Sequence, residues 1–184
     1  MKDKTRNIIL DSAIHVFSKN PGASLNEVVK NAGVGRATLY RHFQSRDDLI
    51  RELTLDSYMK TNAAFEAVSK KELAGKEFLK ELLEAIIPLG DRYYFLLSER
   101  NFESDPEIQP LIKKTEDDWY WLFEHLKENE VIAKDIPSAW TIAAFEGLIY
   151  AAWISIHDGY VASRDASNLV YRTLINGISP EPKK

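Results

Sequence analysis

At 184 residues, with 45% hydrophobic side chains, the chain is long enough to bury a real core and too apolar to read as disordered. The absence of cysteine excludes disulfides and thiolate-ligated metals and fits a reducing compartment. The net charge of −4 is unevenly placed: residues 1–51 carry nine Lys/Arg against five Asp/Glu, and residues 52–184 carry fifteen against twenty-three, so a mildly basic N-terminal quarter precedes an acidic remainder.

The first residues, Met1 to Arg6, are charged but lead into no apolar run long enough for a signal peptide. No stretch of 18 or more consecutive apolar residues occurs anywhere, so no membrane span is expected. From Thr5 to Lys19, Ile8, Ile9, Ala13, Val16 and Phe17 recur at helical spacing, and Asn20-Pro21-Gly22 breaks the pattern. His15 in this helix reads as a surface or boundary residue. Ser24 and Glu27 form a capping box for a second helix, whose apolar face is Leu25, Val28, Val29 and Ala32. Gly33 ends it, because glycine tolerates the left-handed conformation at a helix C-terminus. A third helix runs from near Arg36 to Phe43, with Leu39 and Phe43 inward and Arg36, Tyr40, Arg41 and His42 polar. Two helices joined by a short glycine-containing turn make a helix-turn-helix, and a second helix rich in Arg, Thr, Tyr and His suits a DNA groove.

Ser45 caps a long helix to about Ser69, with Asp47 and Asp48 in the first turn where the helix dipole favours them. Its first turns belong to the N-terminal unit and its last to the remainder, so it is the expected connector. After a turn at residues 70–75, a helix carries Phe78, Leu79, Leu82, Leu83, Ile86 and Ile87 and ends at Pro88-Leu89-Gly90. Asp91 is expected to cap the next, Arg92 to about Arg100. Ser104-Asp105-Pro106 breaks the chain before a helix from Glu107 to Glu128, with Leu111, Ile112, Trp119, Leu122, Phe123 and Leu126 inward. Pro137 and Ser138 open a helix to Asp158, and Asp165 is expected to cap a last one to Ile178, followed by a frayed tail. The expected fold is all-α, about nine helices: a three-helix helix-turn-helix domain at residues 1–47 and a larger helical domain at residues 48–184.

The run Ala32-Gly33-Val34-Gly35-Arg36-Ala37-Thr38-Leu39-Tyr40-Arg41-His42-Phe43-Gln44-Ser45-Arg46-Asp47-Asp48-Leu49 resembles the DNA-binding segment of the TetR family of transcriptional regulators. The resemblance covers residues 5–51 and rests on many fixed residue types in one ungapped stretch. Three positions depart from the family pattern. Gly35 stands where Ser is usual, which weakens a cap; Val29 replaces a small Ala; Arg46 replaces Lys and keeps its charge.

The resemblance implies roles by position. Arg36 and Ala37 would face base edges, Arg36 being suited to guanine O6 and N7. Thr38, Tyr40 and His42 would reach phosphates or bases at the groove wall, Arg41 would lie near the backbone or a base, and Arg46 would clamp a phosphate. Leu39 and Phe43 would be core. Read structurally instead, Tyr40 merely packs and Arg41 is merely solvated.

The resemblance also implies a C-terminal ligand pocket. All four Trp lie beyond residue 100, and the ligand candidates are Tyr94, Trp119, Phe123, Tyr150 and Trp153. Aromatics at helical spacing equally make ordinary core. Glu99, Glu103, Glu124 and Glu146 share these helices, and two of them facing a pocket would suit a cationic aromatic ligand. In the final two helices, Ala143, Ala144, Gly147, Ala151 and Ala152 permit close approach, and Val170, Leu174, Gly177 and Ile178 form a stripe. By resemblance these helices pair with a second copy; an intrachain contact would use the same residues.

The four His are scattered, and no catalytic or metal-binding motif is present, so no enzyme activity, metal or cofactor is expected. The expected function is a homodimeric, ligand-responsive regulator, foremost a repressor, bound to a palindromic double-stranded DNA operator and released by a small hydrophobic or aromatic effector. Its expected place is the bacterial cytoplasm, at the nucleoid. The competing reading is a DNA-bound regulator controlled by a protein partner.

Overall fold

Nine α-helices and one short 3-10 turn make up the computed structural model, which describes residues 2–178; no strand occurs among them. The expected frayed tail lies outside the described residues. The helices are α1 (Lys2–Lys19), α2 (Leu25–Ala32), α3 (Arg36–His42), α4 (Arg46–Ser69), α5 (Gly75–Ile86), α6 (Gly90–Ser98), α7 (Gln109–Glu128), α8 (Ser138–His157) and α9 (Ser163–Ile178).

Two apolar cores result, and α4 runs through both. The first gathers Ile9, Leu10, Ala13 and Phe17 of α1, Val28 of α2, Leu39 of α3 and Leu49, Ile50 and Leu53 of α4. Phe43, fully buried just after α3, closes it. The second takes over from Phe65 and Val68 at the far end of α4 and continues through α5, α7, α8 and α9. Three residues cross between the halves of the chain: Phe95 of α6 is buried in the N-terminal core, and Leu96 and Phe102 pack against it.

The local signals around α2 and α3 act as their chemistry dictates. The Glu27 carboxylate accepts from the Ser24 backbone N–H at 2.7 Å and from its hydroxyl at 2.9 Å, which holds Glu27 below the usual carboxylate range. Gly33 has φ of +64°, and its N–H and that of Val34 reach back to the carbonyls of Lys30 and Val29. Gly35 leaves α3 without a side-chain cap, whereas the Ser45 hydroxyl accepts from the Asp48 N–H at 3.0 Å to start α4.

Several boundaries differ from the sequence reading. Pro88 does not stop the chain's helical course. It sits in the 3-10 turn Ile87–Leu89, where its missing N–H costs little, and α6 begins at once at Gly90. Asp91 is therefore not a cap: it lies in the first turn of α6 and accepts from the Trp153 indole N–H. A side chain at Gly90 would meet Trp153 at 3.1 Å, so glycine is what lets the indole reach Asp91. Likewise α9 starts at Ser163, two residues before Asp165. Helix α7 starts at Gln109, and the turn before it is held by Asp105, which accepts from the Glu107 and Ile108 N–H groups at 2.9 and 3.3 Å.

On α9, Val170 and Leu174 face inward, at 4% and 1% exposure, because they complete the chain's own second core. The residue they leave outward is Leu169. Helix α8 is long and apolar enough to cross a membrane by length and hydropathy, although its apolar residues are never 18 in a row. It is built into the second core through Phe145, Ile149 and Ala152, and carries Glu146 midway.

Candidate DNA-reading face and C-terminal cavity

Helix α3 is anchored from below by Leu39 and presents its other sides outward. Arg36, Ala37, Tyr40 and Arg41 are exposed, Tyr40 by 52%. Thr38 and His42 are half-buried. The His42 Nε2 is buried without a hydrogen-bond partner, the one such side-chain atom among the described residues. A short helix held at one face and bearing two guanidiniums and a phenol on the others has the shape and donors to enter a major groove.

Arg46 is placed differently from its expected role as an outward phosphate clamp. Its guanidinium turns into the α1–α2 corner, donating to the Pro21 carbonyl at 2.5 Å and lying 4.8 Å from the centre of the Phe17 ring. The reason is geometric: the carbonyls around the Asn20-Pro21-Gly22 break point toward the start of α4. There Arg46 pins the turn that sets α1 against α2.

The C-terminal half holds a cavity of about 560 Å³ between α4, α6, α7 and α8. Its aromatic lining includes Tyr58, Tyr93, Trp119 and Tyr120. Carboxylates stand around it: Glu99, Glu103, Glu116, Asp117 and Glu146. Burial raises the Glu146 carboxyl above the usual range, an effect that the nearby Arg100 opposes. Burial also pushes the Tyr93 and Tyr58 hydroxyls upward. Aromatic faces beside incompletely hydrated carboxylates form a site suited to a flat cation.

Of the five aromatics expected at the ligand, Trp119 lines this cavity, packed edge-on against Phe145 at 5.3 Å and Phe65 at 5.7 Å. Phe123, one turn further along α7, is wholly buried between α7 and α8 against Phe145 and does not reach the cavity. Tyr94, Tyr150 and Trp153 lie apart from it in a stack of their own, with Tyr94 and Trp153 4.1 Å apart and 5° from parallel. Tyr94 and Tyr150 are each one helical position from the cavity-facing Tyr93 and Ile149, a step that turns a side chain about 100° around the helix, and Trp153, one turn beyond Ile149, packs over Gly90 and donates to Asp91. Glu99, Glu103 and Glu146 line the cavity, whereas Glu124 accepts from Lys127 and Ser138 elsewhere. Thr115 and Glu116 also line the cavity and were not singled out in the sequence, and Ile112 was expected only as part of the inward stripe of this helix. Their spacing from Trp119, four, three and seven residues, puts them on its side of α7 and was the available signal.

Between the two sites stands α6. Tyr93, Leu96 and Leu97 face the cavity, while Phe95 enters the N-terminal core. Arg92, only 6% exposed, donates to Asp56 of α4 at 2.7 Å and to Asp11 of α1 at 2.8 Å. Arg51 of α4 meets Asp105 at 2.7 Å and Glu107 at 2.8 Å at the approach to α7; the Arg51 bond holds the Asp105 carboxyl below its ordinary range. A shift of α6 therefore bears directly on both α1 and α4.

The sequence model for bacterial regulatory proteins of the tetR family matches residues 9–53, from the middle of α1 into α4. That segment is the DNA-binding segment of the tetR family of bacterial regulatory proteins. The HTH-type transcriptional repressor LfrR of Mycolicibacterium smegmatis is 26% identical over 182 residues, covering 99% of this chain and 94% of that protein. The HTH-type transcriptional regulator UidR of Escherichia coli K12 is 25% identical over 194 residues, covering 95% and 92%. The crystal structure of LfrR in complex with proflavine matches with a TM-score of 0.75 and 28% identity, across 97% of this chain and 98% of that one. With this segment and regulators of the same type matching along nearly its whole length, the chain is a DNA-binding transcriptional regulator, not an enzyme.

Proposed function

We propose that this regulator is a TetR-family, homodimeric repressor whose hold on a palindromic operator is released by a planar organic cation entering the cavity between α4, α6, α7 and α8. The observation that carries this reading is the pairing of aromatic walls with Glu99, Glu103 and Glu146 in one cavity, directly behind α6. The relative LfrR supports it, having been crystallised with proflavine, a flat diaminoacridine that is cationic at neutral pH. A cavity already formed within the protomer weighs against control by a protein partner alone.

Each half of the mechanism has its residues. Arg36, Ala37, Thr38, Tyr40, Arg41 and His42 read or grip the operator, and Arg46 acts by fixing the turn beneath them. Two copies join through α8 and α9. The outward stripe of α8, Trp140, Ala143, Gly147, Ala151 and Ile154, repeats every three or four residues and is exposed in the protomer, with Leu169 of α9 alongside. A twofold dimer sets its two α3 helices about one DNA turn, 34–36 Å, apart. A cation that pushes α6 moves Arg92 and Phe95, and with them α1 and α4, so the bound state favours a different α3 spacing. The cell interior, where the operator is, is the corresponding location.

The test joins the two ends. Proflavine titrated into the protein is expected to bind with quenched fluorescence and to release operator DNA in a mobility-shift assay. Arg36→Ala and Tyr40→Ala are expected to weaken operator binding while leaving dye binding intact; loss of the Arg36 contact to a base is worth roughly 1–3 kcal/mol. Proflavine binding without any change in operator affinity would overturn the release mechanism, and an operator affinity indifferent to salt would overturn the phosphate contacts.

A further inference from the structure

Arg100 is the only basic side chain lining the cavity among the described residues, against five carboxylates. It follows α6 directly and stands beside Glu103, its Nη1 donating to the Glu103 Oε1 at 3.4 Å. The side chain is 73% exposed, so it reaches the cavity from the solvent side and is free to swing away. Its field nevertheless extends inside, lowering the affinity for protons of both Glu146 and Tyr58.

We propose that Arg100 is the resident counter-cation of this cavity: it neutralises part of the carboxylate cluster while the site is empty, and a cationic effector must displace it. The inference rests on the reading of the cavity as a site for organic cations and adds the residue that sets how strongly they are held. An isolated cluster of carboxylates repels itself, and a guanidinium at its edge relieves that repulsion. A second positive charge arriving among the same carboxylates meets Arg100 as a competitor. The weak, exposed pair with Glu103 is easily given up, so the competition reduces affinity without closing the site. The device discriminates by charge. A neutral aromatic of the same shape does not need the guanidinium to leave, and an effector with an anionic group would be held by it.

The experiment compares proflavine with acridine, a planar analogue that is neutral at pH 8, on the full chain and on Arg100→Gln and Arg100→Lys. Arg100→Gln is expected to bind proflavine about three- to tenfold more tightly in low salt, the scale of two unit charges several Å apart in a partly hydrated site, with the gain shrinking as salt rises. Acridine affinity is expected to stay the same. Arg100→Lys, which keeps the charge, is expected to behave as the parent. Unchanged or weaker proflavine binding by Arg100→Gln, with the parent binding well, would overturn the role of Arg100 alone. Equal tightening of acridine would also overturn it, since shape and not charge would then be at work. Failure of the parent and both variants to bind proflavine would overturn the cation reading and this inference together.

Discussion

Glu146 concentrates the conflict between binding and folding in one side chain. Burial raises its carboxyl above the ordinary range, so the folded protein holds that proton more tightly than the unfolded chain does. A group shifted in this direction costs stability once it must ionise, and the cost grows as pH rises from its unfolded toward its folded pKa. Glu146→Gln is therefore expected to melt at a higher temperature than the parent at pH 8, with the difference shrinking toward pH 5. The same substitution removes a carboxylate from the cavity. A charge-assisted contact is worth about 1.5–3 kcal/mol, so proflavine affinity is expected to fall roughly ten- to a hundredfold. In the parent, that affinity is expected to decline as pH falls through the raised pKa, and the decline should flatten in the variant. Thermal melts and dye titrations at both pH values check the two signs independently; a variant that is less stable at pH 8 would show that Glu146 is satisfied as an anion before any ligand arrives. The sequence made Glu146 a candidate, because it shares a helix with aromatic residues. Its position opposite Trp119 was not legible, since the two are 27 positions apart and periodicity says which way a side chain faces on its own helix, not what it faces.

Helix α6 shows at the next scale why the DNA-binding half was easier to read than the cavity. In α2 and α3 the decisive signals are local: a capping box, a glycine at positive φ, and apolar residues four apart. Helix α6 is organised by partners far along the chain. Arg92 pairs with Asp56 and Asp11, Phe95 packs among residues of α1 and α4, and Asp91 takes the Trp153 N–H. Nothing near Asp91 distinguishes a helix cap from an indole acceptor, which is why the cap was expected. In the proposed release mechanism the same arrangement makes α6 the mechanical link, held by Arg92. Breaking a well-buried ion pair costs about 3–5 kcal/mol. Here Lys60 also reaches Asp11 and Asp56, at 3.2 and 3.0 Å, and softens the loss. For Arg92→Met a cost of about 2 kcal/mol is expected, lowering the melting temperature by roughly 4–8 °C. The diagnostic outcome is functional: proflavine should bind with near-parental affinity while operator release becomes blunted, read in paired dye-titration and mobility-shift assays. Loss of dye binding would place Arg92 among the supports of the cavity, and normal release would remove it from the link.

At the scale of the whole molecule, the two cores and the unfilled face of α8 belong to one design problem. A protomer whose DNA-reading helix has seven residues presents too little surface to hold an operator alone, and doubling it requires a rigid joint. Helix α8 supplies an apolar stripe broken by no charge, and Gly147 lies at its centre, exposed and with open space where a Cβ would be. That space separates folding from assembly. A side chain added at Gly147 meets nothing within the protomer, and a helix interior gains up to about 1 kcal/mol when glycine is replaced. Across a twofold axis, however, it would be driven into the facing copy. Gly147→Glu is expected to fold with an undiminished melting temperature, to sediment as a 21.1 kDa monomer, and to lose operator affinity by about a hundredfold or more, because only one half-site is then engaged. Proflavine binding should survive, since the cavity lies within one protomer. Gly147→Ala, adding a single methyl to the same face, separates a crowding effect from a charge effect. Sedimentation of Gly147→Glu as a dimer with parental operator affinity would move the interface off this face of α8 and leave its apolar stripe to another partner.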